Sequence, residues 1–385
     1  MTARAAQMRR EGHDVISLSV GEPDFDTPAH ISAAGVEAIR SGHTRYTNSD
    51  GAPELKDAII AKFQRDNGLK YARNQILVST GAKQTIFNLC MAVLDPGDEA
   101  VIPAPYWVSY PDMVMLADGL PVTPDAPASQ HFKITPRQLA TSITSRTRLV
   151  LLNSPCNPTG AAYTRAELAA LGEVLLDHPR VVIGTDDIYE KIYWGSEPFA
   201  SFAQVTPALY NRTVTINGCS KGYAMTGWRI GYCGGPAEIV GAMGTVQGQS
   251  TTNAASMSQQ AAIAALNGPE EASRRMCAAF KERHDLVVAG LNALPGFSCL
   301  PASGTFYAFV DVRGAMQALG FKDDNAFADF ILTDALVAGV AGSGFGAPGH
   351  LRLSFACSAA TIERALERIG AALARGPSQA VKATA

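Results

Sequence analysis

The sequence predicts an α/β protein: a large domain with a mostly parallel sheet covered by helices on both faces, plus a smaller α+β domain. Three observations carry this expectation. Short apolar runs rich in β-branched residues recur between residues 76 and 218, separated by helical patterns. Such runs are the mark of strands buried on both faces. After about residue 280 the texture changes to two strand-like runs around a helix. The 385 residues suit two or three packed units at about 100–200 residues each.

Taken in order, ILVST (76–80) is a strand and Ala82 to Leu94 a helix. EAVIPA (99–104), RLVLLNS (148–154), RVVIGTD (180–186) and RTVTING (212–218) are further buried strands, and TRAELAALGEVLLDH (164–178) is a helix between two of them. FKERHDLVVAGLNAL is helical. TFYAFVDV and HLRLSFA are strands around the helical DNAFADFILTDALV. The expected division is 28–281 for the large domain and 1–27 with 282–375 for the small one. A disordered tail is expected over 376–385.

Several function classes are disfavoured. A formal net charge of −3 is no footprint for nucleic acid. No run of about 18 apolar residues suggests a membrane span, and the start has no apolar signal core. The seven cysteines are odd in number and never spaced C-x-x-C, which points to free thiols in a reducing, cytoplasmic setting. There is no zinc spacing or G-x-S-x-G elbow, so no metal is expected. GSGFGAPG (342–349) lacks a full dinucleotide loop, and Pro348 would break a following helix; it is expected as a loop near the substrate.

In a parallel sheet, ligands bind beyond the carboxyl ends of the strands, and four strand ends here are polar or glycine-rich. Ser79-Thr80-Gly81-Ala82-Lys83-Gln84 runs from a strand into a helix whose first amides suit a phosphate. Asn153 to Gly160, NSPCNPTG, holds Asn157 in a tight turn, although Asn before Pro is also ordinary turn chemistry. Thr185-Asp186-Asp187-Ile188-Tyr189 ends an apolar strand in a carboxylate. Cys219 to Tyr232 places Lys221 after a strand and Arg229 eight residues later. A lysine desolvated near other cations can form imines, and arginine suits a phosphate.

SKGYAMTGWRIGY resembles the S-K-x(5)-G-x-R-x-G signature of the class I/II aminotransferases, fold type I enzymes that use pyridoxal 5′-phosphate. LSVGEPDFDTP, RYTNSDGAPELKDAI, STGAKQ, PAPYWVSYP, NSPCNPTG, TDDIYEKI, SGTFYAF and HLRLSFACS resemble family blocks in the expected order, over nearly the whole chain. The similarity is greatest to the bacterial aspartate aminotransferases of the prokaryotic subgroup.

The resemblance implies residue roles. Lys221 would carry the cofactor as a Schiff base and shuttle the substrate proton. Asp186 would pair with the pyridinium nitrogen, with Asp187 a mere neighbour. Asn157 and Tyr189 would bond the phenolic oxygen, and Trp107 would stack on the ring. Arg229, with Gly81 and the amides of Ala82 and Lys83, would cup the phosphate. Tyr46 would reach the partner subunit's phosphate, implying a homodimer with shared sites. Arg352 would grip the substrate α-carboxylate, with Gly21 close by, and the Lys83 side chain would face a distal carboxylate.

These roles imply ping-pong transamination of a dicarboxylic amino acid, aspartate, with 2-oxoglutarate as acceptor. The alternatives are a prephenate or aromatic aminotransferase and a non-catalytic cofactor-binding regulator; the latter is expected to lose Lys221 or Asp186. Three departures from the family stand out. Gly222 replaces a usual alanine, which is expected to matter little. Cys156 occupies the turn before NPTG and puts that loop's hydrogen bonding in question. The N-terminal arm is shorter than in relatives.

Overall fold

The structure, a computed structural model, describes residues 2–377. The expected tail lies outside the described residues from 378 onward. A seven-stranded sheet holds β1 (Ile76–Ser79), β2 (Glu99–Val101), β3 (Leu120–Val122), β4 (Thr147–Asn153), β5 (Val182–Asp186), β6 (Thr213–Gly218) and β7 (Gly231–Gly234), in the order β1-β7-β6-β5-β4-β2-β3. All neighbours pair in parallel except β7, which runs antiparallel to both β1 and β6.

Alternation along β4 explains why helices lie on both faces. Leu149 and Leu151 pack with Ile86 and Leu89 of the helix Ala82–Val93. Val150 and Leu152 point the other way, to Leu168 and Leu171 of the helix Arg165–Leu176. That second helix starts at a capping box, where the Thr164 hydroxyl accepts from the Glu167 amide at 3.2 Å and the Thr164 amide donates to the Glu167 carboxylate at 2.8 Å.

The second core gathers around a four-stranded antiparallel sheet containing β8 (Ser298–Cys299), β9 (Tyr307–Asp311), β10 (Val340–Ala341) and β11 (His350–Ser354). The helices Glu271–Asn292 and Asp324–Asp334 pack against it. Ile16–Ser17 adds a short parallel pair with Val337–Ala338, so the start of the chain folds with this later part.

The sequence did not announce β7. Its residues, Gly-Tyr-Cys-Gly, lack a β-branched signal, and the reason is steric. A Cβ on Gly231 would lie 2.1 Å from the Ala82 amide nitrogen. The strand therefore sacrifices propensity to let a helix start approach it. Among the described residues no helix is long and apolar enough to cross a membrane.

Candidate active site

The carboxyl ends of β1, β4, β5 and β6 open onto one cavity of about 500 Å³. Because β7 is antiparallel, its first residues lie at that same edge, and Arg229 arrives beside Lys221 after one turn. Ten of the expected residues line the cavity: Lys221, Arg229, Asp186, Asn157 and Tyr189, with Ala82, Lys83, Trp107, Gly21 and Arg352. Gly81 sits just behind Arg229. Tyr46 does not join them; it is 90% exposed on this chain.

One corner is cationic. Gly81 has φ +87°, and a Cβ there would fall 2.3 Å from an Arg229 terminal nitrogen. Arg229, itself at φ 58°, donates to the Thr226 carbonyl at 2.9 Å and the Thr80 carbonyl at 3.3 Å. The first amides of the helix Ala82–Val93 have no carbonyl of their own helix to bond, and they open beside this guanidinium. Lys221 Nζ donates to the Gly21 carbonyl at 2.5 Å. Burial pushes its ammonium down to about 8, with Arg352 and Arg229 acting in the same direction and Glu22 opposing.

The opposite corner is acidic and dry. Asp186 accepts from the Tyr110 hydroxyl at 2.7 Å and from the Ile188 amide at 3.2 Å. Burial pushes its carboxyl up to about 6, partly offset by the Tyr110 bond. Asn153 ties this corner to the next loop, donating to the Asp186 carbonyl at 2.8 Å and accepting from the Asn157 amide at 2.8 Å. That loop is held by its backbone as well: Cys156 donates to the Ala161 carbonyl at 2.9 Å, and Gly160 donates to the Cys156 carbonyl at 2.7 Å. Cys156 therefore leaves it well bonded.

Arg352 forms the third corner. It is buried between the rings of Tyr307 and Phe345, 4.5 and 5.0 Å from their centroids. It donates to Asn157 Oδ1 at 3.0 Å and to the Ser19 carbonyl at 2.8 Å, while its Nε has no partner. Among the described residues no carboxylate lies within ion-pair reach of it. Lys83 Nζ meets Ser109 Oγ at 3.1 Å and sits 4.7 Å from the Trp107 ring centroid.

Sequence reasoning did not single out Tyr110, Asn153 or Tyr307. The Tyr189 and Tyr307 hydroxyls lie 3.1 Å apart, and burial raises the Tyr189 phenol well above its ordinary value. Tyr110 carries a readable signal: it lies three residues after Trp107, across the turn that opens a helix, with the two rings edge to face at 5.4 Å. The link between Tyr189 and Tyr307 spans too much chain to be read that way. The loop 342–349 does reach the site, through Phe345.

Gly222 departs from the expectation that alanine would serve equally. A Cβ there would lie 2.8 Å from Lys191 Cβ and 2.9 Å from its Cγ. Gly222→Ala is expected to cost about 1–2 kcal/mol after the gain from a stiffer unfolded chain. Denaturant unfolding checks this, and a wild-type midpoint would contradict it.

A profile described as aminotransferase class I and II matches residues 13–369. The chain is 50% identical to an aspartate/prephenate aminotransferase of Nitrosomonas europaea, over 97% of this chain and 96% of the relative. A crystal structure of the aspartate aminotransferase from Rhizobium meliloti superposes with a TM-score of 0.94 at 51% identity, covering 97% of this chain and 95% of that one. The aspartate aminotransferase of Thermus thermophilus with maleate gives 0.90 at 40% identity, covering 96% and 95%.

Proposed function

The chain belongs to the class I and II aminotransferases, and on that premise we propose that it moves the amino group of aspartate to 2-oxoglutarate, with pyridoxal 5′-phosphate in the cavity. The residues fit that group. The Arg229 corner offers a guanidinium and free helix amides to a phosphate. The Asp186 corner offers a buried carboxylate that a protonated ring nitrogen would relieve of its desolvation. Trp107 supplies an aromatic wall of the same cavity.

Bound there, pyridoxal phosphate supplies an electron sink for the electron pair left on the amino acid's Cα. Arg229 and the amides of Ala82 and Lys83 hold the phosphate, and Gly81 allows the arginine its close approach. Asp186 keeps the proton on the ring nitrogen. Asn157 and Tyr189 would bond the cofactor's phenolic oxygen. Lys221 holds the cofactor covalently and, once freed, moves the proton between the substrate Cα and the cofactor's C4′. Its ammonium loses its proton near pH 8, so an appreciable fraction is free base under neutral conditions.

The observation that carries this reading is Arg352, a buried cation with no anionic partner among the described residues, opening onto the cavity that holds Lys221. An amino acid's α-carboxylate supplies the missing charge in bidentate geometry. Arg352→Ala is expected to raise the KM for aspartate by about 100–1000-fold, the scale of losing a buried charge-assisted pair. Steady-state kinetics decide it, and an unchanged KM contradicts the assignment.

Lys83 favours a second carboxylate on the substrate, and the Thermus relative's solved structure is with maleate, a dicarboxylate. The Nitrosomonas relative's name adds prephenate, so prephenate is a second reading. Parallel assays of aspartate, glutamate, phenylalanine and prephenate separate them; phenylalanine turnover far above aspartate would overturn the dicarboxylic preference.

Exposed Tyr46 supports a homodimer in which each subunit contributes to its partner's phosphate site. The separate sheets support a cofactor-binding unit over 28–281 and a smaller unit from 1–27 with 282–375. The seven free cysteines favour a reducing, cytoplasmic location.

A further inference from the structure

Behind the acidic corner lies a polar cluster that the reaction does not use. The strand end and turn over residues 186–190 have two faces. Asp186 and Tyr189 line the cavity. Asp187 and Glu190 point away from it, into the space beside the helix Pro53–Asn67. There Lys62, with no exposed surface, forms an ion pair with Glu190 and donates to Asn67 Oδ1 at 2.7 Å. Asn67 Nδ2 donates to Ser201 Oγ at 2.9 Å and to Glu190 at 3.0 Å. Ser201 Oγ donates in turn to Asp187 at 2.8 Å. The bonds from Lys62 through Asn67 and Ser201 all donate toward Asp187, with a branch from Asn67 to Glu190.

The cluster also reaches the other turn that carries chemistry. Lys191, next in sequence to Glu190, bridges Asp66 at 2.9 Å and Glu270 at 2.5 Å. Its stem lies against Gly222, and the Ser273 hydroxyl donates to the Gly222 carbonyl at 2.6 Å. The Asp186 turn is thus bonded to the buried Lys62 cluster, and the neighbouring Lys191 and Ser273 brace the Lys221 turn at Gly222.

A buried lysine and two buried carboxyls are costly unless each is paired. A hydrophobic filler of similar volume would pack the same space without directionality. Directed bonds instead fix orientation, as outer partners do for metal ligands.

We propose that the Lys62–Asn67–Ser201–Asp187–Glu190 cluster holds the 186–190 turn so that Asp186 meets the cofactor's ring nitrogen, making Ser201 a positioning residue. The proposal rests on the reading that Asp186 faces that nitrogen.

Ser201→Ala breaks the chain at one hydroxyl, on a residue that does not line the cavity. Titrating the cofactor-free variant with pyridoxal phosphate by absorbance is expected to give about tenfold weaker affinity, the scale of one buried hydrogen bond. Ser201→Thr keeps the hydroxyl and is expected to lie within about threefold of wild type. Wild-type affinity in Ser201→Ala overturns the proposal, as does a lowered melting temperature with affinity unchanged. An equal loss in Ser201→Thr also overturns it, because packing rather than the hydroxyl would then matter. If Ser201→Ala does not fold, Ser201→Cys, a weaker donor, is expected to lose about threefold; no loss overturns the proposal. Failure of the wild-type protein to bind pyridoxal phosphate would overturn the reading of Asp186 instead.

Discussion

Lys221→Ala is expected to abolish covalent attachment of pyridoxal phosphate and to lower transamination by on the order of 10⁵-fold, as loss of a nucleophile that also carries the proton does elsewhere. Lys83 is the other lysine of the cavity, and its Nζ is held against Trp107 and Ser109, so it does not stand in. The loss would not reflect unfolding. Burial holds the folded Lys221 pKa at about 8, below its ordinary 10.5. Below pH 8 the folded chain therefore carries a desolvated ammonium that the unfolded chain solvates freely. Removing it relieves the fold. Mass spectrometry after borohydride reduction, with visible absorbance, reads attachment directly. Wild-type levels of reduced adduct in the variant would refute the assignment.

Asp186→Asn ranks second. It keeps the shape of the corner and removes the charge proposed to face the ring nitrogen. Breaking a buried ion pair from one side costs about 3–5 kcal/mol, so turnover is expected to fall by about 10²–10⁴-fold. Stability of the cofactor-free protein should move the other way. The folded pKa of Asp186 is raised to about 6 from 3.8. Between these values the folded chain keeps a proton that the unfolded chain has released, so stability falls as pH rises. Above about pH 6 the full cost stands, on the order of 3 kcal/mol. The cofactor-free variant is therefore expected to be more stable than wild type at pH 7.5 and to lose that advantage near pH 4. Denaturant unfolding at both pH values tests this; equal stability at pH 7.5 would mean that the carboxylate is not under strain.

The strands β4, β5 and β6 were legible because burial on both faces leaves an uninterrupted apolar run. The strand β7 was not, because its glycines serve the close approach of Gly81 and Ala82. The cavity's residues were legible as motifs at strand ends. Their mutual contacts were not: Tyr110 with Asp186, and Tyr189 with Tyr307, join chain segments whose meeting depends on topology. Asp187 was set aside as a neighbour, yet it is fully committed to the buried cluster. A charged residue in a sequence reads as solvated by default. For Lys62 the contrary signal was available. Leu55, Ile59, Lys62 and Phe63 fall at helical spacing on the buried stripe of one helix, where a cation needs a partner.

The reversed direction of β7 also governs the order in which the molecule can be completed. β1 pairs only with β7, Ile76 opposite Gly234 and Ser79 opposite Gly231. The bond from Arg229 to the Thr80 carbonyl spans 149 residues. Contacts of such separation form late, because loop closure must be met before they can repay it. On the ribosome, Gly81 and its helix emerge long before the arginine that completes their corner. The cationic corner proposed to take the phosphate is thus a product of finished folding, and a ligand bound there would stabilise the completed molecule without nucleating it.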